Sequence, residues 1–137
     1  MIYLDTCIIV SAVDELDPNH AKALKLLEEL SNENRVVSKL TLVELASVFT
    51  RANLDKPIAL AIYAIKKVNA KIISTDFNEV LSQALRYAHE LRLKTLDLLH
   101  VISCRIIGAT RFATFDRDII SKAARIRKVL GIEVVSL

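Results

Sequence analysis

Four acidic residues stand where a carboxylate can do chemistry. Asp5 closes the apolar run Ile2 to Leu4, and Asp116 follows the run Arg111 to Thr114 by two residues, with Asp118 two further on. Glu44 lies in the first turn of a helix expected to begin near Thr41, and Asp97 in the first turn of one expected to begin near Thr95. In a parallel α/β sheet, the carboxyl ends of strands and the first turns of the following helices share one edge, and ligands bind there. Carboxylates gathered on such an edge repel one another and cost stability unless a cation neutralises them. The ion that suits an all-oxygen set is a hard divalent one, Mg2+ or Mn2+, held directly by one or two carboxylates while others orient water. Asp5, Asp97 and Asp116 are the expected metal-centred acids, with Glu44 as a further ligand or a water-orienting group. Such an ion lowers the pKa of an attacking water and stabilises the entering and leaving oxygens of an in-line displacement, so phosphodiester hydrolysis is the reaction class.

Each acid also has a purely structural explanation. Thr41-Leu42-Val43-Glu44 matches a capping box, Asp97 gains from a helix dipole, and Asp116 suits an N-cap. Asp5 resists such an explanation best, because a carboxylate at the end of a buried strand must find hydrogen bonds, a cation or water. The conjunction of all four, rather than any one of them, argues for a site. Thr6 and Thr114 set hydroxyls beside Asp5 and Asp116 as accessory groups, and Asp118 is an accessory acid. His100, one turn beyond Asp97, is read as a packed or solvated helical residue outside the catalytic set. The Cys7 thiol is a poor match for a hard ion, so burial is its expected role. Lys94, Arg105, Arg117, Lys122, Arg125, Arg127 and Lys128 lie largely in the C-terminal half and would supply a phosphate-facing rim, although surface helices carry such residues in any case.

The elements that must position these groups follow a rhythm of helix, stop and strand. Asn34 precedes Val36-Val37-Ser38, Asn69 precedes Ile72-Ile73-Ser74, Gly108 precedes Phe112-Ala113-Thr114, and Gly131 precedes Val134-Val135-Ser136. Asn and Gly tolerate the left-handed conformation that ends a helix. Runs this short, without clear alternation, read as strands buried on both faces. Between them, Asp17-Pro18 offers a helix start, and Val80, Leu81, Ala84, Leu85, Ala88 and Leu91 form one apolar stripe. Pro57 to Val68 is apolar almost all round and is expected in the core, with a partner surface as the alternative. The fold class is therefore α/β, a three-layer α/β/α sandwich around a central, mainly parallel five-stranded sheet.

Composition narrows the function classes. A chain of 137 residues, 53% hydrophobic and 26% charged, reads as a single domain spanning 1–137 and not as a disordered or modular chain. With only 2 Gly, no glycine-rich phosphate cradle can be built. The longest apolar run, Ile58 to Ile65, is far short of the ~18 residues needed to span a bilayer, so no membrane role is expected. Cys7 and Cys104 form no CxxC pair, as is usual for a reduced, cytoplasmic chain. The net charge of +3 permits a polyanionic partner.

The pieces Tyr3-Leu4-Asp5-Thr6, Ser38 through Glu44, Asp97-Leu98-Leu99-His100 and Ala113-Thr114-Phe115-Asp116-Arg117-Asp118, in this order, resemble the PIN-domain family. Within it they resemble the small VapC-type ribonuclease toxins of toxin–antitoxin pairs. The resemblance implies that Asp5, Glu44, Asp97 and Asp116 are the family's acidic quartet and Asp118 an additional acid of some members. It also implies Mg2+- or Mn2+-dependent cleavage of RNA, a homodimer, and a small antitoxin that covers the acidic cleft. Cys7 departs from the pattern, standing where Ser or Asn is commoner. The alternatives are a PIN nuclease of RNA processing, or a PIN-like module that binds RNA or protein without cutting. A haloacid dehalogenase-like phosphatase would want a second Asp at position 7, where Cys7 stands, and a receiver-like domain would want an acceptor Asp where Ser38 and Ser74 end their strands.

Overall fold

The computed structural model describes residues 1–137. In chain order the elements are β1 (Ile2–Leu4), α1 (Thr6–Val13), α2 (His20–Glu29), β2 (Arg35–Val37), α3 (Lys39–Arg51), α4 (Pro57–Lys67) and β3 (Ala70–Ile72). There follow α5 (Phe77–Leu91), α6 (Thr95–Ile107), β4 (Arg111–Ala113), α7 (Arg117–Ser121), α8 (Ala123–Leu130) and β5 (Glu133–Val135). All five strands are parallel, in the order β3-β2-β1-β4-β5.

Strand side chains alternate between faces, and β1 shows what this does at the centre of the sheet. Ile2 and Leu4 pack with Ile8, Leu26, Leu45 and Ile65 from α1 to α4. Tyr3 packs with Val80, Leu91, Ile102, Ile119 and Ile126 from α5 to α8, its ring stacked on Phe112 of β4 at 5.4 Å. Two cores thus flank one sheet. The chain runs outward from β1 through β2 to β3 with helices on one face, then returns to β4 and β5 with helices on the other. The strand order reverses between β1 and β4, and a crevice opens at the carboxyl ends of strands at such a reversal.

Several local expectations change. The strands β3 and β5 are partly exposed along their length, because they are the sheet edges and no further strand covers them. The helix expected from Thr41 begins at Lys39, with the Ser38 hydroxyl accepting from the Leu40 amide at 3.2 Å. The capping box therefore does not form. Asp17 caps a turn before α2, accepting from the Asn19 amide, and the helix itself starts at His20. On α5 only Val80, Ala84 and Leu91 of the stripe are buried, while Leu81, Leu85 and Ala88 face outward. On α4, Ala61, Ala64 and Ile65 enter the core, whereas Ile58, Ile62 and Tyr63 stay exposed. Asn69, Gly108 and Gly131 take up positive φ as expected, and Asn34 does not. No helix is long and apolar enough to cross a membrane.

Gly131 ends α8 at φ 71°, and a Cβ there would meet nothing within 4 Å. Gly131→Ala should cost about 1–2 kcal/mol from backbone strain alone. Urea unfolding with an unchanged m-value checks this, and no loss would mean that the turn relaxes.

Candidate active site

The four acids lie at the carboxyl edge, around the reversal point between β1 and β4. Asp5 and Glu44 come within ligand distance of one another, whereas Asp116 is linked to Asp5 through Thr114, and Asp97 is near enough to feel the charges of both, outside that compact group. Asp5 leaves β1 and caps α1: its Oδ1 accepts from the Thr6 amide at 2.8 Å, and its Oδ2 from the Thr114 hydroxyl at 2.7 Å. The Asp5 amide donates in turn to the Ala113 carbonyl at 2.9 Å, which stitches the ends of β1 and β4 together. Asp116 caps α7 through the amides of Asp118 and Ile119, and its own amide donates to the Thr114 hydroxyl oxygen at 2.9 Å. Its structural role as an N-cap is thus real, and it is compatible with facing the other acids. Asp97 sits in the first turn of α6, half-buried and without an ion pair. Asp118 pairs with Lys122 at 3.1 Å.

Glu44 is held by a residue that the sequence reading set aside. His100 is buried, and its Nε2 lies 3.0 Å from Glu44 Oε1 while its Nδ1 lies 2.7 Å from the Tyr3 hydroxyl. Tyr3 in turn meets Ser38 at 2.8 Å. With the ring neutral, Nδ1 accepts from Tyr3 and Nε2–H donates to Glu44; with the ring protonated, both nitrogens donate. Oxygen or nitrogen atoms of Asp5, Glu44 and His100 all lie within 4.8 Å of one another. The signal available in the sequence was a lone polar residue on the apolar run Leu98 to Ile102, on the same face as Asp97. Tyr3, inside a strand of three apolar-looking residues, gave none.

The charges explain the protonation behaviour. Burial pushes the Asp5 carboxyl above its ordinary range, with Glu44 adding to the rise and His100, the Thr114 hydroxyl and the Thr6 amide working against it. Burial also opposes ionisation of Glu44, but the His100 hydrogen bond, the neighbouring Thr6 hydroxyl and the charges of His100 and Arg51 outweigh it, and its carboxyl sits below the usual value. Asp97 is pushed up to about 6, first by burial and then by the charges of Asp116, Asp5 and Asp118, with His100 working against the rise. Burial, with Asp5 nearby, raises the Cys7 thiol to about 12, so it stays protonated and donates weakly to Asp5 Oδ2 at 3.5 Å. Cys7 also accepts from the Phe115 amide at 3.4 Å, so a thiol fills its place in the site's hydrogen bonding.

This arrangement fits a hard divalent cation. The acids lack a Lys or Arg partner among themselves, and the buried Thr6 hydroxyl, beside Glu44, makes no hydrogen bond of normal geometry to any protein atom. Apart from His100, whose two ring nitrogens are engaged by Tyr3 and Glu44, the donors are carboxylate and hydroxyl oxygens, the ligands that Mg2+ and Mn2+ prefer. A depression of about 310 Å3, lined in part by Thr6, Cys7, Ser11 and Glu44, gives solvent access from the side of α1 and α3.

Comparison with known proteins agrees with this geometry. The PIN domain family model matches residues 2–126. Among solved structures, VapC20 of Mycobacterium tuberculosis, described as a sarcin–ricin loop cleaving toxin, superposes with a TM-score of 0.68 at 17% identity, covering 88% of this chain and 94% of that one. FitAcB of Neisseria gonorrhoeae superposes with a TM-score of 0.68 at 18% identity, covering 99% and 97%. VapBC2 of Rickettsia felis, bound to a DNA fragment from its promoter, gives 0.60 at 19% identity, covering 98% of each chain. At these identities the likeness is one of fold. No curated protein matches the chain by sequence.

Asp97 carries the test of repulsion within the site. Its folded pKa of about 6 exceeds its ordinary 3.8, so the folded protein holds a proton that the unfolded chain has released, and stability falls as pH rises through that window. In chelator, Asp97→Asn should therefore raise the Tm at neutral pH, with the gain shrinking as pH drops below about 6. Thermal melts across pH check this; a gain independent of pH would show that Asp97 feels no such repulsion.

Proposed function

The chain belongs to the PIN-domain family, and from that premise we propose that it is a metal-dependent endoribonuclease, the toxin of a toxin–antitoxin pair. The observation that carries the reading is the gathering of Asp5, Glu44, Asp97 and Asp116 on one sheet edge with no Lys or Arg paired to any of them and with His100 paired to Glu44 alone. Carboxylates kept in such repulsion are a cost to the fold that a bound cation removes. Asp5, Asp97 and Asp116 would hold Mg2+ or Mn2+, and when bound the ion activates water and neutralises charge on the phosphate.

The chain's own residues divide the remaining work. Thr6 and Thr114 fix the Asp5 carboxylate by its two oxygens, so it is aimed before any ligand arrives. Asp116 spends Oδ1 on the α7 amides and keeps Oδ2 for the site. Glu44, ionised and anchored by His100 through Oε1, has Oε2 left to orient an attacking water. Water then displaces one ester oxygen of the phosphodiester, and the 2′-hydroxyl takes no part. The sarcin–ricin loop cleavage credited to VapC20 supports RNA as the substrate class.

The partners are proposals of the same kind. A small antitoxin is supported by an apolar depression of about 300 Å3 between α1, α3 and α4, lined by Val10, Val48, Phe49, Leu60 and Tyr63, next to the elements that carry Thr6 and Glu44. A homodimer is supported by Phe77, Leu81 and Leu85, which are exposed and spaced four apart on one face of α5. Leu81→Glu with Leu85→Glu should convert the dimer to a monomer in light scattering, and an unchanged mass would exclude this face.

The activity is tested on an RNA pool with wild type, Asp5→Asn and Asp97→Asn, each with Mn2+, with Mg2+ and with chelator. Both variants should lose at least ~100-fold in rate, since each weakens the hold on the ion. Both should remain folded, because Asp97 makes no ion pair and the amide oxygen that Asp5→Asn introduces can still accept from the Thr6 amide, which circular dichroism checks. The products should carry no 2′,3′-cyclic phosphate. Full activity of both variants, or cleavage that persists in chelator, would overturn the reading.

A further inference from the structure

The net charge of +3 is concentrated in one stretch. Residues 117–130 hold five cations, Arg117, Lys122, Arg125, Arg127 and Lys128, against the single acid Asp118, a local +4 that leaves −1 for all other residues. This stretch is α7 and α8, and it starts immediately after Asp116. Lys122 marks the seam between the two charge regions. Its ammonium pairs with Asp118 at 3.1 Å and donates to the Arg92 carbonyl at the end of α5, while Asp118 lies near enough to Asp97 to act on it electrostatically.

Beyond the seam the surface is concave and cationic. Lys122, Arg125 and Lys128 line a depression of about 540 Å3, and Arg125 and Lys128 also line a second, of about 330 Å3, together with His89 and Arg92. Arg92, Arg125 and Lys128 are exposed and have no acidic partner within ion-pair distance. The apolar liners are Ala124 and Val129 alone, and Glu90 is the one acid. Two joined hollows with free cations and almost no apolar wall suit a run of phosphates and offer little to an apolar ligand. Their continuity with the acidic edge through Lys122 and Asp118 aligns that run with the site.

We infer that α7, α8 and the C-terminal end of α5 form a track for the phosphate backbone of a single-stranded RNA, flanking the bond to be cut on the Asp116 side of the acidic edge. The track rests on the nuclease reading and adds to it where the substrate lies. Arg125 and Lys128, shared by both hollows, each neutralise a phosphate there.

The test is binding of a fluorescent single-stranded oligoribonucleotide in chelator, where nothing is cut, across a salt series. Arg125→Ala with Lys128→Ala should weaken binding at least ~10-fold and flatten the slope of log affinity against log salt by about 1.4, some 0.7 for each lost contact. Lys66→Ala with Lys67→Ala, which removes the same charge from α4, should leave affinity and slope as in wild type. Arg125→Lys with Lys128→Arg should keep both. Equal losses from the two alanine pairs would reduce the effect to net charge and overturn the track, as would no loss from either. Loss in the charge-conserving variant would assign the effect to the fold and overturn it too. Binding to anionic vesicles in place of RNA, with the same dependence on Arg125 and Lys128, would give the surface to a membrane. A protein that binds along the track but never cleaves would fail the nuclease reading alone, and one that cleaves with the track variants binding normally would fail the track alone.

Discussion

A carboxylate at the end of the central strand has to be satisfied, and much of the local architecture is arranged around that need. Asp5 is buried, so both of its oxygens must find donors, and they find them on different elements: the Thr6 amide opens α1, and the Thr114 hydroxyl closes β4. The same carboxylate therefore starts a helix and ties the two strands that flank the reversal point. Thr114 passes the connection on, because its hydroxyl oxygen also accepts the Asp116 amide while Asp116 caps α7. One hydroxyl thus fixes the relative position of two acids whose like charges push them apart.

The alternation of β1 extends this to the third acid. Ile2 and Leu4 anchor the core beneath α1 to α4, which forces Tyr3 to the other face, where it stacks on Phe112 and raises its hydroxyl toward Ser38 and His100. Removing a buried phenol from water is tolerable only if the oxygen is hydrogen-bonded. Here the partners that satisfy it are the residue capping α3 and the residue that grips Glu44. The helix that carries Glu44 is thereby registered against the helix that carries Asp97.

How much of this was visible in the amino-acid sequence depended on the range of the interactions. The order of strands and helices followed from helix-stopping Asn and Gly and from short aliphatic runs, all local signals, and Asn69, Gly108 and Gly131 do adopt the left-handed backbone. The convergence of the acids followed from a topological rule about strand ends, which needs no side-chain detail. Ser38, rather than Thr41, caps α3, because Thr41 lies close to Tyr3 from 38 residues away, and no pattern within one helix encodes that. The exposure of Leu81 and Leu85 was hidden for the opposite reason: an apolar face looks the same in sequence whether it meets the protein's own sheet or is left for something else. His100 was missed because its importance lies in what it touches, Tyr3 and Glu44, at separations of 97 and 56 residues.

The place of His100 also bears on which ion the site favours. Its ligand atom is close enough to those of Asp5 and Glu44 for the three to surround a metal, and a nitrogen ligand would tilt preference from Mg2+ toward softer transition ions. Both ring nitrogens are already engaged, however, one by Tyr3 and the other by Glu44. To ligate, the ring would have to release Glu44, whose carboxylate is then left half-buried without its strongest donor, and would gain one bond in exchange. Oxygen atoms meanwhile remain free on Asp97 and Glu44, and the buried Thr6 hydroxyl is unsatisfied. These hydrogen bonds leave His100 as the residue that holds an acid in place, and the oxygens as the groups that a cation would meet.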